Sequence, residues 1–419
     1  MVSDNIPTPW SKLNARDFDS WHSMCSYLGA FPPPLANYFI QYFSNEGDLV
    51  YDPFSGRGTT ILESRILNRN SLGTDLNPIA LALSEAKNCN LTKEDIYSRI
   101  DELEEKYDYA LYQPEAIAQS DEIHLIFHPK TLAQLCYLRR KLLKSEKQID
   151  KYLIGITLGI LHGGERKDTT SAYASIDMPN TFSMSPEYVR RYVQTKQLNR
   201  IERNIFNLLK EKTDRIYKKH TPLGGKGFIL KANVKSLSKY QELQQYKNSV
   251  SLVLTSPPYL GIVNYAKQNW IRSWFMDQDP IAVSKELDDD LNLDEWIEFS
   301  KLAIVELKQF LKEDGVAVFV IGDVAKSKNS VISLAREFCL MINENKFFKN
   351  VWCINDVITS SDKTTRIWGD KKGIATTTDR IVILSNIDPF EKFKSKNQIE
   401  KLNLESVEEI TKYFIGNYN

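Results

Sequence analysis

Five short apolar runs punctuate the chain, at residues 48–51, 71–74, 227–230, 251–254 and 315–321, and each closes in a turn that carries Gly, Pro or Asp. Runs this short and this continuously apolar, separated by stretches of helical spacing, predict strands buried on both faces of a parallel, doubly wound α/β sheet. Two later runs, 350–357 and 380–385, predict a terminal hairpin on that sheet. Between the second and third runs the spacing changes: residues 123–143 carry apolar positions three and four apart, and 151–161 are nearly all apolar. A crossover within a sheet needs far fewer residues. Residues 91–226 are therefore expected as a mostly helical insertion, 1–90 and 227–390 as the sheet domain, and 391–419 as a C-terminal tail or helix.

At 419 residues, with 42% hydrophobic and 26% charged positions, the chain can bury a core without disulfide or metal staples. No apolar run reaches the length of a membrane span, and residues 1–10 hold no signal-peptide core, so a cytoplasmic protein is expected. The five cysteines are scattered and include no Cys-x-x-Cys pair, which predicts reduced thiols and no zinc site. His124 and His128 stand four apart on a possible helix without a Glu between them, and are expected to be structural, with no metal bound. Lys and Arg balance Asp and Glu at 54 each, so any attraction to a polyanion must come from a local patch. One exists between residues 189 and 231, with twelve basic residues against three acidic ones.

Asp52-Pro53-Phe54-Ser55-Gly56-Arg57-Gly58-Thr59-Thr60 follows the first predicted strand and leads into a helix. Glycine at alternate positions permits a sharp strand-to-helix turn and lets a ligand approach bare backbone. Taken alone, Gly-x-Gly serves simple packing equally well. The acid Asp75, at the end of the second strand and followed by Asn77-Pro78, adds a group able to accept hydrogen bonds from both hydroxyls of a ribose. The loop lacks the Gly-Lys-Ser/Thr ending of a P-loop and the third glycine of the dinucleotide fingerprint, so a nucleoside cofactor without phosphates fits it better.

Ser256-Pro257-Pro258-Tyr259 follows the Val/Leu run at 251–254. Two prolines fix φ and remove two backbone donors, so the segment can neither extend a sheet nor enter a helix freely. It can instead hold a hydroxyl, a carbonyl and an aromatic ring rigidly at a strand's carboxyl end. Such an array suits chemistry on an exocyclic amine of a nucleobase, whose lone pair is delocalised into the ring. Acceptors for both N–H groups, here Ser256 Oγ and the Pro257 carbonyl, would draw the nitrogen toward tetrahedral geometry for in-line attack on a methyl sulfonium. Tyr259 would stack on the base once it is extruded from the duplex.

Together the two loops resemble the amino-methyltransferases of bacterial DNA modification, with their F-x-G-x-G cofactor loop, an acid after the second strand and a D/N/S-P-P-Y/F/W tetrapeptide. Phe54, Gly56 and Gly58 match the first, Asp75 the second, and Ser256, Pro257, Pro258 and Tyr259 the third. The resemblance implies a Rossmann-like S-adenosylmethionine methyltransferase sheet, with Asp52 and Phe54 bordering the methionine part of the cofactor, Thr59 in the same loop, and Asp75 on the ribose. The stretch 27–39 is similar to the family's additional cofactor motif, without its usual lysine, and implies that Phe31-Pro32 approaches the methionine tail. Serine at the first tetrapeptide position is typical of the cytosine-N4 subgroup; adenine N6 is the alternative. The implied substrate is double-stranded DNA in a restriction-modification or related defence setting, with a cognate endonuclease acting separately.

The insertion is the candidate target-recognition region. Arg166 and Lys167 follow a flexible Gly163-Gly164, Arg166 could contact guanine and Asn180 adenine, and Arg190 and Arg191 open the basic tract that would neutralise phosphates. Two other readings use the same residues: methylation of guanine N2 in RNA, and a catalytically silent nucleic-acid-binding protein. Gly322-Asp323, ending the fifth run, reads as a simple turn, with a place in the pocket lining as the alternative.

Overall fold

The structure, a computed structural model, describes residues 8–165, 170–260, 265–288, 290–327, 330–357, 375–396 and 404–406. Its strands are β1 (Leu49–Asp52), β2 (Asn70–Asp75), β3 (Gly227–Lys231), β4 (Val250–Thr255), β5 (Leu311–Ser327), β6 (Ser330–Ile332), β7 (Asn350–Val357), β8 (Ala375–Ser385) and β9 (Leu404–Ser406). They form one sheet in the order β3-β2-β1-β4-β5-β8-β7-β9, with β6 paired to β5. The five strands from β3 to β5 are parallel, and β8, β7 and β9 continue the sheet antiparallel.

The central strands are mostly apolar because both faces are covered. Val50, Leu252, Leu254, Val318 and Val320 meet Phe39, Ile40 and Phe43 of the helix Pro33–Phe43 on one side. Their sequence neighbours Tyr51, Val253, Ala317, Phe319 and Ile321 meet Trp296, Phe299 and Ile304 of the helix Leu293–Lys308 on the other. From β1 the chain steps outward to β2 and β3; from β4 it steps the opposite way to β5. The carboxyl ends of β1 and β4 therefore flank the switch point, where open α/β sheets bind ligands.

Among the described residues, seven helices lie between β2 and β3 beyond the helix Pro78–Lys87: Lys93–Glu105, Tyr109–Ile117, Asp121–Ile126, Pro129–Leu142, Gln148–Ile160, Pro186–Lys196 and Ile205–Tyr217. Their apolar core is continuous with Leu62, Ile79, Leu83 and Ala86 of the sheet's own helices and with Trp21 and Met24. Two glycines permit the approach. A Cβ on Gly155 would fall 2.3 Å from Ala86 Cβ, and one on Gly159 2.0 Å from the Met24 carbonyl oxygen.

Three expectations need correcting. The apolar spacing over 123–143 is broken at His128-Pro129, because a proline in the first turn forces the preceding residue into extended backbone. His128 caps the second helix, its Nδ1 accepting from Lys130 N, so the two histidines do not share a helix. Gly322-Asp323 is not a turn: β5 runs through it to Ser327, and Asp323 faces Arg380 of β8 at 3.5 Å. Within 391–419, Leu404–Ser406 adds a strand beside β7; residues 397–403 and 407–419 lie outside the described residues.

Candidate active site

One pocket opens at the switch point. Its walls come from Tyr27 to Phe31, the loop after β1, the end of β2, Ala232 and Val234 after β3, Ser256 and Pro258 after β4, and Leu287, Asp288 and Phe299.

The loop after β1 is held by its own backbone and by Asp75. Ser55 N donates to the Thr74 carbonyl at 2.9 Å and Gly58 N to the Ser55 carbonyl at 2.7 Å. Asp75 accepts from Gly56 N on one carboxyl oxygen and from Asn77 N on the other, both at 2.9 Å, so it organises the loop as well as facing the pocket. The two glycines have different work. Gly56 has φ +51° and nothing closer to a built Cβ than Phe54 O at 3.7 Å, so its face is open to the pocket. Gly58 has φ +75° and presses on the helix Pro78–Lys87, where a Cβ would lie 3.0 Å from Ser84 Cα. It also starts the helix Thr59–Ile66 without a side-chain cap, so the first-turn N–H groups have no capping side chain.

Asp52, buried at the tip of β1, accepts from Thr255 Oγ1 at 2.6 Å and from Phe54 N at 3.1 Å. Burial pushes its carboxyl up to about 6, against the pull of the hydroxyls of Thr255 and Thr60 and of the Phe54 N–H, while the charge of Asp75 adds to the rise. Asp75 is likewise pushed up to about 6 by burial, against its backbone donors. Across the pocket, Phe54 and Phe299 pack with ring centroids 5.9 Å apart, and Asp288 is paired with Lys235 at 2.7 Å.

The proline loop leaves β4 directly. Ser256 and Pro258 face the pocket, Pro257 is buried, and Tyr259 lies half-buried beyond the wall against the sheet core. Tyr259 Oη donates to the Val320 carbonyl at 3.3 Å and lies 3.2 Å from Ser256 Oγ. Trp296 Nε1 donates to the Pro258 carbonyl at 2.7 Å and braces the loop from below.

Phe31, Asp52, Phe54, Gly56, Thr59, Asp75 and Ser256 thus share one pocket, with Gly58 just behind it. Tyr27, Arg57, Asn77, Asp288 and Phe299 join them without having been singled out as site residues. Tyr27 and Asn77 sit inside the motifs already read, and are joined by a 2.9 Å hydrogen bond from Asn77 Nδ2 to Tyr27 Oη. Asp288 and Phe299 carry no local signal, since only the fold brings them there.

The basic and polar positions of the insertion divide. Arg166 and Lys167 lie outside the described residues. Asn180 has partners within the insertion: its Nδ2 donates to Tyr173 Oη at 2.9 Å and its Oδ1 accepts from Thr181 Oγ1 at 3.2 Å. Arg190 is exposed and paired with Glu122, and Arg191 is exposed over the Tyr188 ring. The basic tract is partly internal. Arg203 pairs with Glu165, and because the helix Ile205–Tyr217 packs against both the helix Lys93–Glu105 and the short helix Ser20–Ser23, Lys210 pairs with Asp101 and Glu104 and Lys212 donates from a buried position to the Ser23 carbonyl. Among the described residues no cluster of His, Cys, Asp and Glu could hold a metal, the five cysteines are free and buried, and no helix is long and apolar enough to cross a membrane.

A doubly wound sheet with an antiparallel strand between β5 and β7, and a switch-point pocket built from an acid at the end of each of β1 and β2 and a glycine turn, define a S-adenosylmethionine-dependent methyltransferase. The chain belongs to the N6/N4 DNA methylase family, which it matches over residues 8–86 and 250–414. It is 22% identical over 404 residues to the type II methyltransferase M.MjaII of Methanocaldococcus jannaschii, covering 76% of each chain. It is 26% identical over 275 residues to the type II methyltransferase M.BsoBI of Geobacillus stearothermophilus, covering 60% of this chain and 52% of that one. An overlay on the rRNA methyltransferase aviRa of Streptomyces viridochromogenes covers 94% of this chain and 96% of that one, at 11% identity and a TM-score of 0.29, a likeness too slight to carry functional information. The substrate is DNA and the methyl donor is S-adenosylmethionine.

The pocket suits that donor on its own chemistry. The Asp75 carboxylate and the first-turn N–H groups at Thr59 are polar, the walls at Phe31, Phe54 and Phe299 are apolar, and the loop has no lysine placed for a phosphate.

Proposed function

We propose that the protein methylates the exocyclic N4 amine of cytosine at a specific site in double-stranded DNA, in the cytoplasm and alongside a separately acting restriction endonuclease. The observation that carries this reading is Ser256 at the mouth of the switch-point pocket, on a loop that prolines and Trp296 hold rigid. S-adenosylmethionine supplies an electrophilic methyl group. Asp75 holds its ribose, Gly56 and Thr59 approach it through backbone, and Phe31, Asp52 and Phe54 border its methionine part. Asp52, whose carboxyl burial pushes up to about 6, would be the counter-charge for the sulfonium cation.

Ser256 Oγ and the Pro257 carbonyl accept the two N–H groups of the amine, which localises its lone pair and orients it for in-line attack. Tyr259 supplies the ring against which the extruded base rests. Arg190 and Arg191, exposed on the insertion, neutralise phosphates, and Arg166 and Lys167 belong to the same target-recognition region.

Nucleoside digestion of DNA from cells expressing the protein, followed by mass spectrometry, tests the target atom. N4-methylcytosine is the expected product; N6-methyladenine alone would overturn the cytosine assignment. Modification-sensitive sequencing of the same DNA gives the recognition site.

A further inference from the structure

We propose that Tyr259 is a positioning residue whose hydroxyl fixes Ser256 as an acceptor only, and that this lets the loop tell an amino base from a keto base. The inference rests on the assignment of Ser256 made above. β4 and β5 stay paired as far as Thr255 and Phe319, after which β4 turns into the proline loop. Pro257 and Pro258 have no N–H, so neither can offer β5 a backbone donor. The Val320 carbonyl, one residue past the last pair, accepts from Tyr259 Oη at 3.3 Å.

A carbonyl can only accept, so the contact with Val320 uses the single proton of the phenol. Ser256 Oγ lies 3.2 Å from the same phenol oxygen, which has only lone pairs left to offer there. Ser256 must donate to it. A serine hydroxyl has one proton, so what it presents to a substrate is lone pairs alone.

An exocyclic amine conjugated to its ring presents N–H donors and is accepted; a keto oxygen presents lone pairs and is repelled. Both contacts are long for O–H···O bonds, as catalytic hydrogen bonds commonly are before substrate arrives, and a chain of such bonds strengthens each member when it closes.

The test is a cycle of wild type, Ser256→Ala, Tyr259→Phe and the double variant on duplexes carrying the mapped site, with thermal melting and cofactor binding as controls on folding. Tyr259→Phe keeps the ring and is expected to lower kcat on the order of tenfold with little change in KM. In the Ser256→Ala background the same change should cost nothing further. Binding is also measured with S-adenosylhomocysteine, on duplexes with the amino base or the corresponding keto base at the target. Relative to wild type, Tyr259→Phe should shift the ratio of the two affinities toward the keto base, again on the order of tenfold.

Full kcat in Tyr259→Phe, an equal loss in both backgrounds, or an unchanged affinity ratio overturns the proposal while leaving Ser256 as the acceptor. Undiminished kcat in Ser256→Ala overturns both.

Discussion

Thr255 donates its hydroxyl to Oδ1 of Asp52 at 2.6 Å, so the last residue of β4 sets the state of the last residue of β1 across the switch point. Replacing it with valine keeps the shape and removes the donor. A hydrogen bond to a charged group contributes about 1.5–3 kcal/mol. Thr255→Val is expected to weaken S-adenosylmethionine binding about tenfold or more by calorimetry; an unchanged affinity would show that the ionised form of Asp52 plays no part in holding the cofactor.

The pH dependence of binding follows from the two acids. Asp52 and Asp75 have ordinary values of 3.8, and burial raises each to about 6. Protonated, they favour the folded state; that contribution is fully present below 3.8 and is lost as pH rises through about 6. A cationic ligand prefers the anions, so affinity should move the opposite way, rising as pH passes through about 6 with release of protons on binding. Calorimetry in buffers of different ionisation enthalpy reads that release. A flat affinity between about pH 5 and 7 would refute it.

Gly56 and Gly58 should separate stability from binding. Both have positive φ, so alanine at either costs about 1 kcal/mol. At Gly58 the new Cβ also meets Ser84 Cα at 3.0 Å, and the backbone cannot give way cheaply. Gly58→Ala should therefore lower the melting temperature clearly more than Gly56→Ala, whose loss should show mainly in cofactor affinity because its face opens on the pocket. Equal melting shifts would contradict this division.

Arg272 is 1% exposed in the short helix Trp270–Phe275 that follows the proline loop. Its guanidinium donates to the carbonyls of Asn180 at 2.7 Å and Leu158 at 3.3 Å and to Asn269 Oδ1 at 2.6 Å, joining that helix to the insertion. Arg272→Leu leaves these buried acceptors without their donor and should destabilise the fold by about 3 kcal/mol or more, read from denaturant unfolding. A loss below about 1 kcal/mol would mean that the contacts are dispensable.

Arg190 and Arg191 are exposed on the helix Pro186–Lys196. If each neutralises one phosphate, the double alanine variant should reduce the slope of log affinity against log salt by about 1.8. The fall in affinity should be alike for specific and non-specific duplexes; an unchanged slope would place the DNA elsewhere.

The sheet was legible in the sequence because a parallel strand covered on both faces reads as a nearly continuous apolar run, as in Val250–Thr255, where only Ser251 and Thr255 interrupt it. The turns around it were legible for the same local reason. Gly56-Arg57-Gly58 signals positive φ, and Pro257-Pro258 signals the end of a ladder, whatever lies nearby. Asp52, Phe54, Asp75 and Ser256 could therefore be named before any contact was known, each standing at the carboxyl end of a strand.

What the tertiary structure alone decided is which groups meet. Asp52 and Thr255 are 203 residues apart, and only the β1–β4 pairing puts the hydroxyl on the carboxylate. Asp288 and Phe299 reach the pocket wall from beyond the proline loop, and Lys212 turns inward although its neighbours in sequence are a basic tract. Asn180 is tied to Tyr173 and Thr181, partners that its place in the sequence did not announce. A residue's type states which bonds it can make; the packing around it determines which of them are made, as at Asp52, whose Oδ1 accepts from Thr255.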